Sequence, residues 1–187
     1  MDLVIKAPDE LTVGDARKLD DSYLVESELR VFAEDGVIHY EVVPVTPYVK
    51  SYADDGVSDY HRHGPDEAVF LAFLDGTVVG RIVLSEGWNR YAWIEDITVD
   101  ARCRRAGIGR ALMDRAIAWA TERGLPGIRL ETQSNNVPAC IFYEKYGFEL
   151  GGFDRHLYRG LDEATTEIAL FWYLPIRAMS SDTEDFE

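Results

Sequence analysis

The chain has 187 residues, 47% of them apolar, and a formal charge of −15. This is enough apolar material for one domain with a sizeable core. No apolar run reaches the ~20 residues that cross a bilayer, and the N-terminus lacks the basic and apolar segments of a signal peptide, so a cytoplasmic chain without membrane contact is expected.

The acidic charge is unevenly spread. Residues 1–60 carry fourteen acidic and five basic side chains, and residues 179–187 carry four acids and no base. Such a field repels nucleic acid and steers cations inward, although it also serves solubility alone. Cys103 and Cys140 form no CxxC pair, and His39, His61, His63 and His156 are scattered, so free thiols and no metal are expected.

In chain order, residues 11–19 follow a helical pattern with Thr12 as N-cap. Residues 29–45 read as two extended runs around the turn Glu34-Asp35-Gly36. Pro44 and Pro47 then break the pattern, residues 48–52 read as helical, and residues 54–65 as a loop. Residues 68–74 and 78–84 form a hairpin through Asp75-Gly76. Residues 91–99 make a third strand, followed by a basic loop over 101–106. A helix is expected from Gly107 to Arg123, with Ile108, Ala111, Leu112, Trp119 and Ala120 at three- and four-residue spacings. Residues 128–132 are a strand, and Asn136 caps a short helix that Gly147 ends. Residues 148–151 and 168–174 are the last strands, and Ser180–Glu187 is a disordered tail. The order implies an α+β (mixed α/β) layer, one central sheet with flanking helices.

The junction at Gly107-Ile108-Gly109 combines a preceding strand, a following helix and four arginines, Arg102, Arg104, Arg105 and Arg110. A helix N-terminus offers free N–H groups and the positive end of the dipole, and glycine lets an anion approach closely, so a diphosphate is the expected ligand. Leu112 stands where a dinucleotide fingerprint needs its third glycine, and no Gly-Lys-Ser/Thr follows, which excludes both the Rossmann and Walker patterns.

The run Ile94-Glu95-Asp96-Ile97-Thr98-Val99-Asp100 followed by Arg104-Arg105-Ala106-Gly107-Ile108-Gly109 resembles the main acetyl-CoA motif of the GNAT superfamily of N-acetyltransferases. Asn136-Val137-Pro138-Ala139-Cys140-Ile141-Phe142-Tyr143-Glu144-Lys145-Tyr146-Gly147-Phe148 resembles that family's second element, Asn-x-x-Ala-x-x-Phe-Tyr-x-x-x-Gly-Phe. The resemblance implies a GNAT fold, a mostly antiparallel sheet with a splayed parallel pair. It makes residues 1–66 an acceptor-side segment of the same domain, residues 67–178 the acetyl-CoA-binding core, and residues 179–187 a tail. It assigns Ile97, Thr98 and Val99 to the pantetheine arm, Arg104 through Arg110 to the pyrophosphate, and Asn136 and Ala139 to the cofactor. It also makes Tyr143 the acid that serves the leaving thiolate. A carboxylate on the strand ahead of the loop takes the acceptor's proton. Glu95 is assigned this role and Asp96 the acceptor's cation, with the roles reversed if the strand carries a bulge.

Within that superfamily the chain looks like the streptothricin acetyltransferases. The stretches that carry this are Leu19-Asp20-Asp21-Ser22-Tyr23, Trp88-Asn89-x-Tyr91-Ala92-x-Ile94-Glu95-Asp96-Ile97, Leu130-Glu131-Thr132-Gln133, Leu157-Tyr158 and Glu167-Ile168-Ala169-Leu170-Phe171-Trp172-Tyr173. The resemblance implies a small cationic amine as substrate, acetylated on its β-lysine arm. Asp20 and Asp21 would draw its charge, and Trp88, Tyr91 and Trp93 would line its pocket. Two other readings remain at this point: a GNAT enzyme for another small amine, and an acyl-CoA-binding module without catalysis. The apolar run Phe171-Trp172-Tyr173 suits either a core strand or a homodimer contact.

Overall fold

The structure is a computed structural model that describes residues 2–10, 12–51 and 64–176. His61, His63 and the acidic tail lie outside the described residues. In chain order the elements are β1 (Leu3–Lys6), α1 (Val13–Ala16), β2 (Tyr23–Glu34), β3 (Val37–Lys50), β4 (Glu67–Leu74), β5 (Thr77–Glu86), β6 (Ala92–Val99), α2 (Ile108–Glu122), β7 (Gly127–Gln133), α3 (Val137–Tyr146), β8 (Glu149–Asp154) and β9 (Ala169–Pro175). Single 3-10 turns stand at Ala101–Cys103 and Leu157–Gly160.

Seven strands form one sheet in the order β1-β4-β5-β6-β7-β9-β8, and β2 with β3 forms a separate two-stranded ribbon. The β4–β5 hairpin turns through Asp75 and Gly76 at φ 48° and 85°, the left-handed pair that a two-residue hairpin turn needs. Within the sheet, β6–β7 is parallel, because α2 carries the chain back across the sheet before β7 begins. This is the mixed α+β layer that the pattern of elements implies.

Both faces of β4 and β5 are covered. Ile108, Leu112, Met113, Ala116, Trp119 and Ala120 of α2 pack on Phe70, Ala72, Ile82, Leu84, Ala92, Ile94, Ile128 and Leu130. On the opposite face, Val13 and Ala16 of α1 cover Val69, Leu71, Phe73 and Val83. A strand buried on both faces reads as a continuous apolar run, which is why residues 68–74 show no alternation. Leu112 and Met113 have no solvent exposure, and truncating either to Ala costs about 2–5 kcal/mol. Trp172 is 1% exposed in β9, which pairs with β7 on one side and β8 on the other, so the centre of the Phe171–Tyr173 run is core.

Two expectations in the N-terminal part fail. The helix expected over residues 11–19 is a single turn, Val13–Ala16. Thr12 does not cap it with its side chain; instead Asp9 accepts from the Thr12 backbone N–H at 2.9 Å and from its hydroxyl at 2.8 Å. The Ala16 carbonyl, which a longer helix would satisfy, accepts from Arg81 Nη1 at 2.7 Å. Residues 48–50, expected to be helical, continue β3 and pair with Val25, Leu24 and Tyr23. The prolines do not end the strand because, among the described residues, β3 has a strand partner on one side only. The register jumps from Ser27↔Pro44 to Val25↔Tyr48, so Pro47 falls in a bulge where no ladder N–H is needed. Strand β1 and the first residues of β2 carried no signal strong enough to read.

Candidate active site

The site begins where two parallel strands part. Strands β6 and β7 pair only at Ala92↔Ile128, Trp93↔Arg129 and Ile94↔Leu130, although β6 runs on to Val99 and β7 to Gln133. Beyond that point a gap opens between them. On its other edge β6 stays paired with β5, but Val83 faces Asp96 and Leu84 faces Ile94, which leaves Glu95 as an extra residue in a bulge. A bulge bends and twists its strand, and this one sits at the point of divergence.

The bulge also resets which way the acids face. Asp96 falls opposite Val83, whose side chain belongs to the α1 cluster, and so lies on the α1 face of the sheet. There its carboxylate accepts from Arg81 Nε at 2.6 Å and from Thr98 Oγ1 at 3.0 Å. Asp96, expected to hold the acceptor's cation or, on a bulged strand, to serve as the base, is engaged with Arg81, so the reversal of roles expected for a bulge is not adopted. Glu95 is exposed.

The loop after β6 is built by its own charges. Asp100 is almost fully buried and accepts from the backbone N–H, Nε and Nη2 of Arg102 at 3.0, 2.9 and 2.8 Å, which holds its carboxyl well below the usual range. Arg104 turns back to the N-terminal segment, with Nη1 on the Ser22 carbonyl at 2.6 Å, Nη2 on the Asp21 carbonyl at 2.9 Å and Nε on Val99 at 3.1 Å. The backbone of Asp20 accepts from Ala101 N–H at 2.8 Å. Its exposed carboxylate accepts from Ser22 N–H at 3.0 Å, and hydrogen bonding from Ser22 lowers its pKa. Asp20 and Asp21 therefore clamp this loop. Two of the four loop arginines shape the loop, while Arg105 and Arg110 project from it, Arg110 at 5.2 Å over the Tyr146 ring.

Gly107 caps α2 at φ 82°, a left-handed conformation, and Arg105 takes φ 64°. The first bond of the helix runs from Ala111 N–H to the Gly107 carbonyl, so the amides of Ile108, Gly109 and Arg110 have no acceptor in the helix. Loop amides ahead of a helix dipole, and a strand edge opened over Glu95–Val99, are the two surfaces that a diphosphate and an amide-bearing arm can use. Acetyl-CoA carries both groups, and the donor set fits it.

Helix α3 packs beside α2, where Tyr146 Oη donates to Asp114 at 2.5 Å. Asn136 caps it, its side chain accepting from Ala139 N–H at 3.4 Å. Tyr143 is 7% exposed, with ring centroids of Phe142, Phe148 and Trp172 at 5.6, 5.8 and 6.3 Å. Burial pushes its phenol up, with smaller contributions from Cys140, Asp96 and Glu131, so the hydroxyl keeps its proton at neutral pH. Trp88, expected in the acceptor pocket, stands 91% exposed at the β5–β6 turn, at the opposite end of β6 from the loop.

Sequence reading assigned no role to a further group on the face away from α2. Arg129 lies over the Trp93 ring at 3.9 Å. Glu131 accepts from the Tyr158 hydroxyl. Glu167 accepts from Lys50 Nζ at 2.5 Å and from Asn135 Nδ2 at 3.0 Å. Burial and the charge of Glu167 push the Glu131 carboxyl up to about 7. Glu131, Tyr158 and Glu167 lay inside the stretches that carry the resemblance, but no spacing linked them. Among the described residues no cluster of three His, Cys, Asp or Glu could hold a metal ion, and no helix is long and apolar enough to cross a membrane.

Comparison with known proteins agrees with this geometry. The acetyltransferase (GNAT) family model matches residues 36–148. The chain is 38% identical over 164 residues to streptothricin acetyltransferase A of Bacillus subtilis (strain 168), covering 87% of this chain and 94% of that one. It is 38% identical to a streptothricin acetyltransferase of Escherichia coli, covering 86% and 90%. A Bacillus anthracis protein assigned as a streptothricin acetyltransferase, solved with acetyl coenzyme A, superposes with a TM-score of 0.87 at 41% identity, covering 94% of this chain and 100% of that one. A nourseothricin acetyltransferase superposes at 0.80 with 33% identity, covering 95% and 100%. The parted β6–β7 pair, the glycine loop ahead of α2 and a match over most of the chain lead to one conclusion: the protein belongs to the GNAT family of acetyl-CoA-dependent N-acetyltransferases.

Proposed function

We propose that the protein transfers acetyl from acetyl-CoA to a primary amine on the β-lysine arm of streptothricin, and so confers resistance to that antibiotic. The observation that carries this reading is the extent of the likeness: at 38% identity it covers 87% of this chain and 94% of the Bacillus subtilis streptothricin acetyltransferase, a span that takes in most of the N-terminal segment. That segment holds most of the acidic excess, and residues 1–66 form the acceptor side.

Bound acetyl-CoA supplies an activated thioester carbonyl. The backbone of Arg104, Arg105, Ala106, Gly107, Ile108, Gly109 and Arg110 holds the diphosphate, and Ile97, Thr98 and Val99 on the opened edge take the pantetheine arm. Asn136 and Ala139 support that arm from α3. Glu95, exposed on the bulge beside the gap, takes the proton from the acceptor's ammonium, and the freed amine attacks the carbonyl. Tyr143, protonated throughout the working range, donates to the sulfur as negative charge grows there. Asp20 and Asp21 at the loop, and Asp96 held by Arg81, add negative charge that draws the acceptor's cationic groups, whereas Trp88 stands at the far end of β6.

The test is product analysis after incubation with acetyl-CoA and streptothricin, by mass spectrometry with NMR to locate the new group. One acetyl on an amine of the β-lysine arm is expected. Acetylation of polyamines or an aminoglycoside but not of streptothricin would contradict the substrate assignment.

A further inference from the structure

The gap between β6 and β7 has a second acidic rim. Ile94 and Leu130 are the last paired residues, so Glu95 on β6 and Glu131 on β7 are the first beyond the pair, at the same level. The stacking of Arg129 on Trp93 at 3.9 Å shows that these two positions share the face away from α2, and Glu131, two residues after Arg129, lies on that face as well.

Glu131 is a partly buried carboxylate with a neutral partner. Among the described residues its one hydrogen bond comes from the Tyr158 hydroxyl. The neighbouring carboxylate, Glu167, takes the nearby cation for itself: Lys50 Nζ stands at 2.5 Å from its Oε1. Asn135 Nδ2 donates to the same oxygen at 3.0 Å and to Tyr48 Oη at 2.9 Å, which fixes the arrangement. On the strand of Glu131 itself, Arg129 is drawn onto Trp93. Asp96 on β6 is paired with Arg81, and Tyr143 of α3, close enough to feel the charge of Glu131, is itself neutral. An anionic carboxylate in such surroundings is costly, and an incoming cation offsets the cost.

We propose that Glu131 is a specificity residue that binds a second ammonium group of the acceptor, so that the site takes a diamine or longer polycation with one amine at Glu95 and another on Glu131. This rests on the acetyl-transfer reading and narrows its substrate class. The β7 wall is the surface on which Glu131, Tyr158 and the Lys50–Glu167 pair converge, and it borders the same gap as Glu95. A monoamine reaches Glu95 without using it.

The pH dependence has a definite sign. With its carboxyl pushed up to about 7, Glu131 is mostly protonated at pH 6 and mostly ionised at pH 8, so its attraction for a cation grows as pH rises through that window. The ionised fraction changes about tenfold between pH 6 and 8, and the acceptor KM falls by about the same factor.

The experiment measures kcat and KM for thiol release from acetyl-CoA with a linear diamine and with the monoamine of equal chain length. It compares wild type, Glu131→Gln and Glu131→Asp from pH 6 to 9. Removing one charge-assisted contact is expected to raise the diamine KM about tenfold or more in Glu131→Gln, with the loss in KM rather than kcat. The monoamine changes far less, the fall of diamine KM with pH disappears, and Glu131→Asp restores part of the affinity. The proposal is overturned if Glu131→Gln lowers kcat alone, raises both KM values equally, or keeps the pH dependence. If wild type turns over neither these amines nor streptothricin, the acetyl-transfer reading fails separately. Calorimetric titration of the diamine then still decides: binding to wild type and not to Glu131→Gln supports the subsite, and any other pattern overturns it.

Discussion

Tyr143 shows how packing sets the chemistry of one group. Aromatic rings hold its ring in place, and burial keeps its hydroxyl protonated. Tyr143→Phe keeps the packing and removes the proton, so kcat is expected to fall by about 10²-fold or more, the scale of a lost acid, while stability changes by only about 1 kcal/mol. Steady-state kinetics beside a thermal melt checks this, and a variant with unchanged kcat would remove Tyr143 from the mechanism. At this scale the sequence was legible where local structure is tied to a local pattern: the Asn136 cap and the left-handed Gly107 both lie in short motifs. It was not legible where partners are distant. Lys50 and Glu167 are 117 residues apart, and nothing local to Glu131 announces Tyr158. The role of Asp96 depended on a bulge at Glu95, which a strand pattern cannot reveal.

At the scale of elements, two joints carry the site. The first is the start of α2. Gly107 sits at φ 82° with open space where a Cβ would stand, so Gly107→Ala meets only backbone strain, about 1–2 kcal/mol. Relief of that strain turns the amides of 107–110 away from the diphosphate, and the acetyl-CoA KM is expected to rise well above any change in acceptor KM. Equal KM values for acetyl-CoA in parent and variant would contradict the loop assignment. The second joint is Arg81, which holds Asp96 at 2.6 Å and the end of α1 through Ala16 at 2.7 Å. Arg81→Met keeps most of the volume but strands a half-buried carboxylate and a carbonyl, a loss of about 3 kcal/mol in a denaturant titration. A loss below about 1 kcal/mol would show that water replaces Arg81 at no real cost. The hairpins, α2 and α3 were legible because period and turn chemistry agree in them. The one-turn α1 and the strand through Pro44 and Pro47 were not, because tertiary partners there override local preference.

At the scale of the whole molecule, the charge of −15 and the cation-seeking wall at Glu131 belong together. Screening weakens long-range attraction, so kcat/KM for a polycationic acceptor is expected to fall as salt rises from about 0.05 to 0.5 M, and to fall much less for a neutral-bodied monoamine. Equal salt dependence for the two would remove steering from the account. Acetylation of a polycationic antibiotic by this GNAT enzyme is tested most directly by thiol release from acetyl-CoA by the purified protein in the presence of streptothricin. The expected release depends on streptothricin, saturates with it and exceeds release with simple polyamines or an aminoglycoside. Release with those amines and none with streptothricin would contradict it.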